Sequence, residues 1–168
     1  MSEYWYEATY LLTTLMMKTE GLDKDGMDLS FTLGPISVKG KKSTSKFEKA
    51  MRDARPTQGD KIPTSTNMRT SLSKILNEYV NMVENKHGSN TGVKDLTIIV
   101  LTDGIWGGEN ERDSVNDMII QLLKRLKTTI DHLRDRPVSI QFIQFGNDED
   151  ATFRLRKLDN GLKWEGIP

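Results

Sequence analysis

Apolar and polar positions change their period several times along the chain, and each change marks an element. Trp5, Ala8, Leu12, Leu15 and Met16 recur at helical spacing, which predicts a helix over 2–18. Ser2 stands where a cap belongs, and Glu3 favours the positive helix end. Gly21 and the cluster Asp23-Lys24-Asp25-Gly26 stop that helix and turn the chain. Met27, Leu29, Phe31 and Leu33 then alternate with Asp28, Ser30 and Thr32, the period of a half-buried strand. Gly34-Pro35 ends it, and Ile36 to Lys39 returns as the second arm of a hairpin. A polar loop over 41–45 offers Ser43 or Ser45 as cap for a short helix through Met51. The stretch 55–65, with Pro56, Gly59 and Pro63, excludes regular structure.

From Thr66 a second amphipathic helix is predicted to about Glu84, with Leu72, Ile75, Leu76, Tyr79 and Met82 on one side. A loop over 86–93 separates it from Leu96-Thr97-Ile98-Ile99-Val100-Leu101, continuous and β-branched. A parallel strand buried on both faces reads this way. It stops at Thr102-Asp103-Gly104. A loop with Gly104, Gly107 and Gly108 leads to a long helix over about 112–134, followed by a strand over 138–145 and a last helix over about 151–162. This order predicts an α/β fold, a mostly parallel sheet covered on both faces. No internal repeat appears, and no linker separates two domains, so 1–168 reads as one domain.

Composition narrows the function. The 168 residues carry 24 Lys and Arg against 24 Asp and Glu, so no net field draws nucleic acid or an anionic membrane. No apolar run reaches the roughly 18 residues of a membrane span, and the start lacks the pattern of a signal peptide. The absence of cysteine excludes disulfides and thiolate chemistry, and an intracellular, cytoplasmic setting is the plainest reading.

Candidate chemistry is sparse. In open parallel sheets ligands gather outside the carboxyl ends of the strands, where Asp103 would stand. The bland reading makes Thr102-Asp103-Gly104 a turn that Asp103 caps. Thr66, at a helix start after an irregular loop, is a second candidate, with an ordinary N-cap as its plain alternative. A Thr hydroxyl and an Asp carboxylate are hard oxygen groups of the kind that hold Mg²⁺. Asp23, Asp25 and Asp28 do not complete a calcium loop, because the glycine falls too early and no glutamate closes it. His87 and His132 have no neighbouring ligand at metal spacing and read as surface residues. No nucleophile elbow, phosphate loop or dinucleotide fingerprint is present, which argues against an enzyme.

Leu96 to Gly104, ending in Thr-Asp-Gly, resembles the fourth strand of von Willebrand factor type A (vWA) domains. Ser65-Thr66-Asn67-Met68-Arg69-Thr70-Ser71-Leu72 is similar to the family's threonine loop. The stretches 23–29 and 144–148 resemble segments of intracellular vWA domains common in fungal proteins. Together these cover nearly the whole chain. The resemblance implies a Rossmann-like three-layer sandwich and a metal-ion-dependent adhesion site on the sheet's carboxyl rim. In the family an Asp-x-Ser-x-Ser loop, a threonine and an aspartate build that site around Mg²⁺ or Mn²⁺, and a partner's acidic side chain completes it. By position, Thr66 and Asp103 match the last two.

Met1 to Ala8 is similar to the family's first helix, starting at the methionine after the Asp-x-Ser-x-Ser loop. The resemblance therefore implies a sandwich lacking its first and last strands, with three principal ligands upstream of residue 1. It also implies an open slot between the strands at 27–33 and 96–101. The expected function is a protein-protein interaction module with a partial metal site, Thr66 and Asp103 lying close together but too few to bind a cation tightly. The alternatives are an interaction module working without metal, and a Mg²⁺-dependent phosphohydrolase using Asp103. The latter needs an Asp-x-Asp arrangement, and Ile105 stands where its second carboxylate belongs.

Overall fold

Contacts between residues divide the chain into two compact units, residues 1–66 and 67–168. A computed structural model describes residues 1–19, 22, 24–41, 43–56, 67–86, 93–106, 114–129 and 137–164. Among them are five helices and two small sheets, one of them parallel, so the fold class is mixed α/β. Thr66, His87, His132, Gly107 and Gly108 lie outside the described residues, as do most of 55–65 and both expected ends of the long helix.

In the first unit, α1 (Trp5–Thr19) starts three residues later than its apolar period suggests. A turn precedes it, in which the Tyr4 N–H donates to the Met1 carbonyl at 3.1 Å. Ala8, Leu12 and Met16 form its buried face. β1 (Met27–Ser30) and β2 (Ser37–Lys41) make the expected antiparallel hairpin. β1 is half-buried in alternation but stops before Phe31, because bends occupy 32–35 and Gly34 takes φ +77°. The register shifts between Met27 and Leu29, and there the Asp28 carboxylate accepts the Gly40 N–H. Asp28 thus serves the hairpin. In α2 (Thr44–Asp53) Ser43 occupies the N-cap position but makes no side-chain cap bond; its hydroxyl pairs with that of Ser45 at 2.8 Å. Phe47, Ala50 and Met51 are buried beneath it. Trp5 ties the unit together: its indole N–H donates to the Met51 carbonyl at 2.9 Å, and its ring stacks on Phe31.

The second unit is built on β3 (Leu96–Thr102) and β4 (Val138–Gln144), paired in parallel from Leu96↔Val138 to Thr102↔Gln144. In a parallel pair, partners in register share a face. Ile98 and Val100 lie in the core, with Leu96, Val138, Ile140 and Phe142 packed around it. The same cluster holds Leu72 and Leu76 of α3 (Met68–Lys86) and Met118, Ile119 and Leu122 of α4 (Val115–Thr129). On the other face of β3, Thr97 is exposed, and Ile99 and Leu101 are half-buried. Burial on both faces, expected from the continuous apolar run, is therefore incomplete. Both α3 and α4 contribute to the cluster on the even-numbered side. β1 and β3 belong to different units and different sheets.

Helix starts in this unit are set by side-chain caps. The Asn67 Oδ1 accepts the Thr70 N–H at 3.0 Å, so Asn67 fills the cap role that the plain reading gave Thr66, and α3 opens at Met68. Ser114 accepts the Asp117 N–H at 3.1 Å and donates to the Asp117 carboxylate at 2.8 Å, which starts α4 at Val115. Arg125 joins the two helices by a two-pronged pair with Glu84 and a bond to Asn81. No helix among the described residues is long and apolar enough to cross a membrane.

Tyr79 of α3 is buried, and its hydroxyl lies 3.1 Å from the carbonyls of both Lys94 and Pro137, at the entrances to β3 and β4. Burial pushes its pKa up, and the charge of Asp95 adds to the shift. The neutral phenol therefore stabilises the fold fully below the unfolded value near pH 10, and that contribution is lost as pH rises from there through the higher folded value. Urea denaturation at pH 8 and pH 11 checks this. Tyr79→Phe is expected to lose roughly 1–2 kcal/mol at pH 8 and to show a shallower alkaline decline. Equal slopes in both proteins would remove Tyr79 as the titrating group.

Candidate functional site at the carboxyl rim

Parallel strands end side by side, and the residues just beyond them form a rim. The Phe145 N–H donates to the Thr102 carbonyl at 2.8 Å, which carries the ladder to the last residue of β3. Beyond Thr102 the chain reverses sharply, with Gly104 at φ +76°. The Thr102 hydroxyl oxygen, buried at 2% exposure, accepts two bonds of 2.9 Å, from the Gly104 N–H and from the Trp106 indole N–H. Trp106 is consequently folded back into the core, where its ring lies 5.8 Å from that of Phe142.

α5 (Glu149–Trp164) closes the rim from the β4 side. Gly146 takes φ +83°, and Asp148 caps the helix, its Oδ1 accepting the Ala151 N–H at 2.8 Å. Gln144 and Thr152 exchange hydrogen bonds across this turn. Ala151 is fully buried against the β3 turn: a Cβ added at Gly104 would lie 2.5 Å from the Ala151 Cβ. One turn further on, Arg154 donates to the Gly104 carbonyl, and its guanidinium stands 5.8 Å from the Trp106 ring centre.

Asp103 is held in this frame. It is half-exposed, next to buried Thr102, and its Oδ1 accepts the Ile105 N–H at 3.2 Å. This is the turn-capping bond of the plain reading, and it leaves the carboxylate on the rim. Ile105 beside it is 50% exposed. Asp103 and Asp148 thus follow neighbouring strands at one end of the sheet. Thr66, the other expected ligand, lies outside the described residues.

The donor set bears on a metal. Mg²⁺ prefers six oxygens at near-octahedral geometry. The Thr102 hydroxyl already serves two donors, and one oxygen of Asp148 serves the helix cap. No group of three or more His, Asp or Glu gathers at ligand spacing among the described residues.

Three residues of this frame had no functional reading in the sequence. Trp106 lay within the loop of Gly104, Gly107 and Gly108, Arg154 within the last helix, and Thr102 within the Thr102-Asp103-Gly104 turn that ends the strand. A lone Trp two residues after the Asp-Gly pair was the one available signal. No family model matches the chain, and no curated protein or solved structure matches it either.

Proposed function

We propose that the chain is a protein-protein interaction module of the vWA type, Rossmann-like in arrangement, which meets its partner through the rim around Asp103. The observation that carries this reading is the placement of Asp103. A carboxylate at the carboxyl end of a parallel strand, beside a half-exposed isoleucine, stands on a frame fixed by Thr102, Trp106 and Arg154. Interaction surfaces combine an apolar contact with polar groups on a rigid base. The resemblance in motif order supplies the family. The form that works without metal needs only these described groups. In the metal-assisted form Thr66 and Asp103 would hold Mg²⁺ or Mn²⁺ and a partner's acidic side chain would complete the coordination.

Two measurements test this. Calorimetric titration with Mg²⁺ and with Mn²⁺ is expected to give millimolar or weaker binding, because two protein ligands leave a cation mostly hydrated. Micromolar binding that Asp103→Ala abolishes would restore the metal-dependent form. Affinity capture with the intact chain, compared by quantitative mass spectrometry with Asp103→Ala and Ile105→Glu, should yield a protein lost from both variants. Recovery of every captured protein by both variants would sink the rim as the binding surface.

A further inference from the structure

Helix α1 has two apolar faces. Ala8, Leu12 and Met16 form the buried one. On the opposite side Tyr6, Tyr10 and Met17 are 79%, 76% and 62% exposed, with Thr13 between them. Single exposed apolar residues are ordinary on a protein surface, but an aligned row is not. Positions 6, 10, 13 and 17 step by four, three and four, and at 3.6 residues per turn they share an arc of about 60°. Tyr and Met are also residue types enriched at interfaces.

The row is complementary to itself when reversed. Running a second α1 antiparallel sets Tyr6 against Met17 and Tyr10 against Thr13, a ring on a thioether and a phenol beside a hydroxyl. The charges agree with that direction. Glu7 and Lys18 are exposed and lie along one flank of the row. In the antiparallel pair Lys18 of one copy comes level with residue 5 of the other, about 3 Å along the axis from Glu7. In a parallel two-fold pair that flank would instead face the partner's opposite flank, and these ion pairs would not form. Opposed helix dipoles favour the same direction.

We propose that α1 is a homodimerisation surface, two copies of the chain pairing antiparallel through Tyr6, Tyr10, Thr13 and Met17. A two-fold axis across the middle of the row makes the contact self-closing. The helix is about 22 Å long, so the contact falls in the smallest class of specific interfaces. The dimer is accordingly reversible, with a dissociation constant of about 10 μM or weaker.

Sedimentation velocity of the full chain from about 1 to 300 μM, with helix content followed by circular dichroism, tests the proposal. The expected result is a concentration-dependent monomer–dimer equilibrium that Tyr10→Ser weakens at least about tenfold. Tyr6→Ser provides a second variant, also at an exposed position. Lys18→Glu or Glu7→Lys alone should weaken the dimer roughly three- to tenfold, and the double exchange Glu7→Lys with Lys18→Glu should restore it. A chain that stays monomeric over this range, or self-associates equally well as Tyr10→Ser, would overturn the proposal. A double exchange no tighter than either single variant would overturn the antiparallel arrangement.

Discussion

Gly104→Ala is expected to destabilise residues 67–168 by roughly 2–5 kcal/mol. Two costs act together. An L-residue at φ +76° enters the left-handed region, at about 1–2 kcal/mol. The added Cβ also meets the Ala151 Cβ at 2.5 Å, closer than two carbons can stand, so the β3 turn and α5 must part. Overpacking of this kind typically costs about 1–3 kcal/mol more. Gly34→Ala separates the two terms, since Gly34 has φ +77° with nothing within 4 Å of its added Cβ. That variant should show the backbone cost alone, about 1–2 kcal/mol. Pairing Gly104→Ala with Ala151→Gly relieves the overlap and leaves the backbone cost, so denaturant midpoints of the four proteins should reveal a favourable coupling. Equal losses for Gly104→Ala and Gly34→Ala would mean that α5 does not press on the β3 turn.

Thr102→Val is expected to cost roughly 2–6 kcal/mol although shape and volume barely change. The hydroxyl oxygen is the acceptor for two donors, the Gly104 N–H and the Trp106 indole N–H, at a site with 2% exposure. A methyl group in its place leaves both donors buried and unpaired, at about 1–3 kcal/mol each. Thr102→Ser keeps the acceptor and should retain most of the stability. In a Trp106→Phe background one donor is already gone, so Thr102→Val should cost less there than in the wild type. Thermal or urea unfolding of the four proteins measures this, and a full-sized loss in the Trp106→Phe background would contradict the shared acceptor. Because Asp103 sits between Thr102 and Gly104, both substitutions should also loosen the carboxylate of the proposed binding surface.

Much of the molecule was legible in the chain because local physics decides it. The alternation Met27-Asp28-Leu29-Ser30 can bury only one face of a strand, and Gly34-Pro35 can only turn, so the hairpin followed. The apolar stripes of α1 and α3 drew those helices within a few residues of their ends, and the stripe of α4 marked the same segment. Errors at the ends came from side chains competing for the same job. Asn67 rather than Thr66 caps α3, Ser114 starts α4, and Asp148 starts α5, since a carboxamide, hydroxyl or carboxylate serves equally well and spacing alone does not choose.

The carboxylate at the end of β3 was visible because a long β-branched run stops at Thr-Asp-Gly, and a buried parallel strand must end at a rim. The cover of β3 was not visible. A continuous apolar run looks the same whether helices lie on both faces or gather mainly on one, and α3 and α4 both join the cluster around Ile98 and Val100. Contacts between distant residues were hidden for a related reason. The meeting of Gly104 with Ala151, and of Trp106 with Thr102 and Arg154, depends on how β4 returns beside β3 and delivers α5 to the rim. Periodicity records which side of an element is apolar, and that the sequence alone determined. Which partner each apolar side meets is set by packing between segments tens of residues apart, and only the tertiary structure decided it.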